Sequence, residues 1–80
     1  MALHQYAFSF ASLERDEYEA LFSRVRRQSW NDIRPDFKTK IVVFEIEDPI
    51  NFDLLGIPSI CKLTELVHKY QIENLEALFR

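Results

Sequence analysis

Glycine is nearly absent from this chain: Gly56 is the only one among 80 residues. That excludes phosphate-cradling loops and dinucleotide fingerprints, which need several glycines so that backbone can approach a phosphate closely. Cysteine is as scarce. Cys61 alone cannot close an intramolecular disulfide and cannot supply the paired thiols of a structural zinc site, so a reducing compartment is expected. Three prolines (Pro35, Pro49, Pro58) impose few breaks. No apolar run approaches the roughly 18 residues of a membrane-spanning helix. The opening Met-Ala-Leu-His-Gln lacks a basic stretch followed by an apolar one, so the expectation is a cytoplasmic protein without a membrane partner. A net charge of −3 gives no global attraction to nucleic acid or acidic lipid.

Apolar substance is what the chain has in abundance. Hydrophobic residues make up 48% and aromatic residues 14%, which excludes intrinsic disorder. The length suits a single domain spanning residues 1–80, with stability limited by the small fraction of surface that so short a chain can bury.

Periodicity divides the chain. His4, Tyr6, Phe8 and Phe10 alternate with Gln5, Ala7 and Ser9, the pattern of a half-buried strand with an aromatic inner face. Ser12 can cap a helix whose first turn carries Glu14, Asp16 and Glu17; Tyr18, Leu21, Phe22 and Val25 mark its buried stripe. Arg24, Arg26 and Arg27 suit its C-terminal end, and the spacing predicts a helix over 13–29. Pro35 then closes the segment. A second strand is expected to start near Thr39 and to end at Asp48-Pro49, with Val42, Phe44 and Ile46 on one face and Ile41, Val43, Glu45 and Glu47 on the other. Its first half is apolar on both faces, as in a strand covered on both sides. Residues 48–58 are rich in turn formers, while Ile50, Phe52, Leu54, Leu55 and Ile57 suggest that this connection packs down. A further helix is expected from Pro58 or Ser59 through Ile60, Leu63, Leu66, Val67 and Tyr70. The stripe slips phase near Gln71, where Asn74 can cap a final helix carrying Leu75, Leu78 and Phe79; a strand over Tyr70–Glu73 is the competing reading.

The expected fold is therefore α+β, in the order β-α-β-α(-α). It has a two-stranded sheet, three-stranded if Tyr70–Glu73 is a strand, with helices on one face. Pairing is open between parallel and antiparallel. So small a sheet leaves Ile41 and Val43 uncovered and both edges free, which calls for completion by a partner chain.

Chemistry is thinly represented. His4, His68, Cys61, Glu45, Glu47, Asp48 and Asp53 are the metal-ligand types, but no calcium-loop pattern or close His spacing joins them. No serine lies in a Gly-x-Ser-x-Gly context. No metal or other cofactor is expected. Residues 24–40 hold Arg24, Arg26, Arg27, Arg34, Lys38 and Lys40 against Asp32 and Asp36, leaving the rest of the chain at net −7. With Trp30 as a stacking platform, this basic segment offers a nucleic-acid reading. The acidic start of the helix (Glu14, Asp16, Glu17, Glu19) could instead mimic a phosphate strand.

The reading that these residues favour is a non-enzymatic protein–protein interaction module of regulatory, adaptor or inhibitor type, homodimeric or bound to another protein. Tyr6, Trp30, Phe37, Ile41 and Val43 are the contact residues. Nucleic-acid binding through residues 24–40 is the alternative. A small hydrolase or nuclease without a recognisable motif ranks third.

Overall fold

A computed structural model describes residues 3–47 and 55–80. Four strands run β1 (His4–Ser9), β2 (Arg34–Asp36), β3 (Ile41–Ile46) and β4 (Thr64–Glu65), and the helices are α1 (Arg15–Gln28), α2 (Lys69–Glu73) and α3 (Leu75–Leu78). The class is α+β, as the periodicities implied, but the sheet has four strands in the order β2-β3-β1-β4, every pair antiparallel. That corrects the two- or three-stranded expectation.

The two long strands lie at the centre because they carry the apolar faces. Their register sets Tyr6 opposite Phe44 and Phe8 opposite Val42. On this first face α1 lays down Leu21, Phe22 and Val25, and Phe8, Phe10, Val42 and Val25 lose essentially all contact with water. Ring contacts tie the layer together: Phe10 meets Phe22 edge-on at 5.0 Å, and Tyr18 at 5.1 Å. Such pairs add about 0.5–1.5 kcal/mol each beyond the area they bury.

The cap of α1 lies two residues later than expected. Glu14, not Ser12, is the N-cap, and its backbone N–H donates to the Glu17 carboxylate at 3.0 Å. Acidic side chains thus satisfy the helix start and meet the positive end of its dipole. At the other end Ser29 is already extended. Its hydroxyl donates to the Glu45 carbonyl at 3.1 Å, and the Trp30 backbone N–H donates to the same oxygen at 2.8 Å.

β2 occupies residues read from sequence only as the stop after α1. It is joined to β3 by a four-residue turn that sets Asp36 opposite Ile41. The Asp36 carboxylate accepts from the backbone N–H groups of Lys38 (2.9 Å) and Thr39 (3.3 Å). Lys40 takes the left-handed position that closes the turn, at φ 63°, and its N–H reaches the Asp36 carbonyl at 2.8 Å.

The largest departure is in the last quarter. The helix expected from residue 58 onward is a single 3-10 turn over Ser59–Cys61, ended by Lys62 in the left-handed region (φ 54°) and followed by β4. Helical structure resumes only at Lys69, so Tyr70–Glu73 is helix and the competing strand reading is excluded. Asn74 separates α2 from α3 and is the N-cap of α3 by position, but its side chain makes no cap hydrogen bond there; its amide donates back to the Tyr70 carbonyl at 3.0 Å. Of the turn-rich connection, Leu55 is buried and Ile57 packs on the core; the expectations for Ile50, Phe52 and Leu54 lie outside the described residues.

Helices do not keep to one face. α3 lies on the second face of the sheet, where Leu75, Leu78 and Phe79, together with Val43, pack on Ala7, Ile41 and Leu66. Ile41 is consequently buried by its own chain, contrary to the expectation that it lies open. Both sheet edges are short. β2 carries Pro35, which offers no N–H to an added strand, between the charges of Arg34 and Asp36. Beyond β4, the Val67 and His68 N–H groups are taken by the Gln71 side-chain oxygen at 2.9 and 2.8 Å. Short, charged and proline-bearing edges discourage strand addition. The partner contact expected from open edges has little backbone to use.

Candidate partner-binding surface

Five residues were expected to meet a partner, and the fold disperses them. Tyr6 belongs to the core, stacked on Phe44 at 5.8 Å, and its hydroxyl is pushed above the ordinary phenol range by burial first and by the Glu65 charge second. Ile41 is buried under α3, and Val43 is half-buried beside it. Trp30 and Phe37 are exposed, at 58% and 54% of their surface. Phe37 leans edge-on against Phe10 at 5.6 Å, with the Lys40 ammonium 5.8 Å from both ring centres. Its exposure is that of a turn residue capping the aromatic layer. Trp30 makes no ring contact among the described residues, because its backbone is pinned to Glu45 while α1 has already ended.

The residues that follow Trp30 in the chain enter an open groove of about 530 Å³ lined by Asn31, Asp32, Arg34, Val43, Phe44 and Glu45. It exists because β2 pairs only with Ile41–Val43, so residues 31–33 run past the remainder of β3 without joining its ladder. Val43 belongs both to this groove and to the apolar patch beneath α3. The lining mixes one cation, two anions, an amide and apolar surface. Asn31, Asp32 and the lining role of Glu45 were not legible in the sequence, since no local pattern marks a place where a short strand stops pairing.

The basic set is divided as well. Arg24 turns inward, its Nε donating to the Leu55 carbonyl at 2.9 Å and its Nη2 to that of Gly56 at 3.4 Å. Arg26 pairs with Asp32 at 2.9 Å. Lys40 sits over the two phenylalanine rings. Arg27 back-bonds to the Ser23 carbonyl at 3.3 Å within its own helix. Arg34 and Lys38 are exposed and in no ion pair among the described residues. The six cations therefore form no continuous stripe, and Asp32 and Glu45 share the groove with Arg34.

Among the described residues, no three His, Cys, Asp or Glu side chains converge as metal ligands do. His4 lies 3.5 Å from Glu65, across β1 and β4. Cys61 is fully buried, and burial followed by the nearby Glu17 charge pushes its thiol up, which disfavours the nucleophilic thiolate. No helix among the described residues is long and apolar enough to cross a membrane. Comparison with protein-family models, with curated proteins and with solved structures yields no match.

Proposed function

We propose that this chain is a small protein–protein interaction module of regulatory, adaptor or inhibitor type, acting as a homodimer and without cofactor. One observation carries the reading. Trp30, the side chain with most to gain from burial, stands 58% exposed, and the two residues that follow it, Asn31 and Asp32, line an open, partly apolar groove. Exposed tryptophan beside mixed polar and apolar lining is the composition of an interface centre, where a few aromatic anchors supply most of the binding energy. The groove's opposite charges, Arg34 and Glu45, suit a partner that carries both signs, as a second copy of this chain does.

Trp30 reports on its own environment. On dilution of a homodimer, its emission moves to longer wavelength as the indole becomes wet, in step with the fall in sedimenting mass. Trp30→Ser leaves the fold intact and shifts the population toward monomer. A wild type that sediments as monomer throughout, with unchanged emission, refutes the homodimer.

The runner-up is nucleic-acid binding through residues 24–40, and it rests on Arg27, Arg34, Lys38 and the Trp30 platform. It predicts salt-dependent affinity for single strands, weakened by Arg27→Ala with Arg34→Ala. An enzymatic reading has no cluster of described residues to support it.

A further inference from the structure

Ser29 stands where α1 stops, and the residues three and two places before it are Arg26 and Arg27. No other serine or threonine in the chain has an arginine at either place. Ser29 is partly exposed and already extended, at φ −77° and ψ 142°, and residues 29–33 belong to neither helix nor strand. Arg26, Arg27 and Gln28 are all exposed, and Val25 is the last buried residue of the helix. Unwinding the final turn therefore uncovers no core side chain, and helix ends of this kind open at little cost. Among the described residues Arg26 is held by a surface pair with Asp32, and Arg27 by the Ser23 carbonyl. An exposed ion pair contributes little, so both guanidinium groups are free to exchange partners. The Ser29 hydroxyl is itself a structural donor. Its one proton is shared between the carbonyls of Asn31 and Glu45, and the Trp30 backbone N–H donates to the same Glu45 oxygen at 2.8 Å. These bonds tie the segment after α1 to β3.

We infer that Ser29 is a phosphorylation site for an arginine-directed serine kinase, and that the phosphate releases the Trp30 segment from β3. Recognition follows from charge: such enzymes select substrates through carboxylate pockets that take guanidinium groups upstream of the acceptor. In the transfer, Ser29 Oγ attacks the γ-phosphorus of a magnesium-bound nucleoside triphosphate. The Oγ–P bond forms as the bond to the bridging oxygen of the β-phosphate breaks. Nucleoside diphosphate leaves, and the hydroxyl proton passes to the kinase's carboxylate base. The product has no hydroxyl proton left to donate. It carries instead about −1.5 to −2 charges at the negative end of α1, against the carbonyls of Asn31 and Glu45. Acceptor then faces acceptor, so Ser29 swings out and the Trp30 N–H loses the geometry that placed it on Glu45. Arg26 turns to the phosphate, and Asp32 is left without its partner. The modification thus acts on the segment that presents Trp30 and two residues of the groove, Asn31 and Asp32. It requires neither the homodimer nor any other occupant of the groove, and so goes beyond the function proposed above.

The test uses the full folded chain, the catalytic subunit of cyclic-AMP-dependent protein kinase and magnesium ATP. The expected product carries a single phosphate by intact mass, placed on Ser29 by fragmentation, and Ser29→Ala takes up none. Arg26→Ala and Arg27→Ala should each lower kcat/KM about tenfold or more, the loss of one charge-assisted pair. Arg34→Ala, which lies downstream of the acceptor, should leave it unchanged. The structural consequence is read on the isolated phosphoprotein by amide hydrogen exchange. The Trp30 amide should exchange about tenfold or more faster, with the amides of β1 and of Ile41–Val43 unchanged. No incorporation, phosphate on any other residue, or incorporation only after urea has unfolded the chain overturns the site. Phosphoserine at position 29 with unchanged Trp30 protection overturns the release. Sedimentation decides the homodimer separately and bears on neither readout.

Discussion

Arg24 separates a structural from a functional reading of the basic segment. Its Nε donates to the Leu55 carbonyl at 2.9 Å, its Nη2 to that of Gly56 at 3.4 Å, and its side chain is half-buried between α1 and the loop that carries the core residue Leu55. A hydrogen bond from a charged donor is worth about 1.5–3 kcal/mol net. The longer second bond adds little, and partial exposure favours the lower half of that range. Arg24→Ala should therefore cost about 2 kcal/mol. For a domain of 60–100 residues, where 1 kcal/mol moves Tm by about 4–8 °C, that is a fall of roughly 8–16 °C. Arg27→Ala removes the same charge three residues on and should stay within about 0.5 kcal/mol. The contact has a second partner to check. Gly56 has φ +64°, and a Cβ there would lie 3.4 Å from the guanidinium. Gly56→Ala should cost about 1–2 kcal/mol from the left-handed backbone alone, because 3.4 Å is ordinary contact and the guanidinium need not move. The same backbone cost remains in the Arg24→Ala background, so the two substitutions should be close to additive. Urea denaturation followed by far-UV circular dichroism measures all four proteins. Equal stabilities for Arg24→Ala and Arg27→Ala would refute the structural assignment and return Arg24 to the surface-charge set.

Other outcomes follow from the same geometry. Lys40→Gly relieves a left-handed lysine at φ 63° and should raise stability by about 0.5–1 kcal/mol, read from the urea midpoint, less whatever the ammonium–ring contacts contribute. The Asp36 carboxyl is held below its ordinary value by the Lys38 and Thr39 N–H groups. Its contribution is therefore present above the unfolded carboxyl range and lost as pH falls through the lower folded value, so Asp36→Ala should flatten the stability–pH profile below about pH 4. The Cys61 thiol is raised instead. Unfolding releases a more acidic thiol, and stability should decline as pH rises through about 8.5, a slope that Cys61→Ala removes. A thiol reagent should label native protein only as fast as it opens. Hydrogen exchange at neutral pH should find the amides of α2 and α3 less protected than those of β1 and β3, since no buried side chain and no external hydrogen bond holds the two helices.

What residues 4–29 and 41–46 become was written in their own periodicity. Aromatic alternation over His4–Phe10 specifies a strand whatever it pairs with, and the stripe from Tyr18 to Val25, between acidic and basic ends, specifies a helix. Each signal repeats several times within one element, so local preference suffices. β2 and β4, at three and two residues, are too short to show any period, and they are strands because β3 and β1 offer them hydrogen bonds. The apolar spacing from Ile60 to Tyr70 fits a helix as well, yet Lys62 enters the left-handed region and Leu66 turns to the second face of the sheet. Long-range pairing overrode a local pattern there. The groove between residues 31–34 and Val43–Glu45, the inward turn of Arg24 and the packing of Leu75, Leu78 and Phe79 on Ala7 and Ile41 all join residues far apart in the chain. Only tertiary packing, which satisfies the backbone of one segment with groups from another, could decide them.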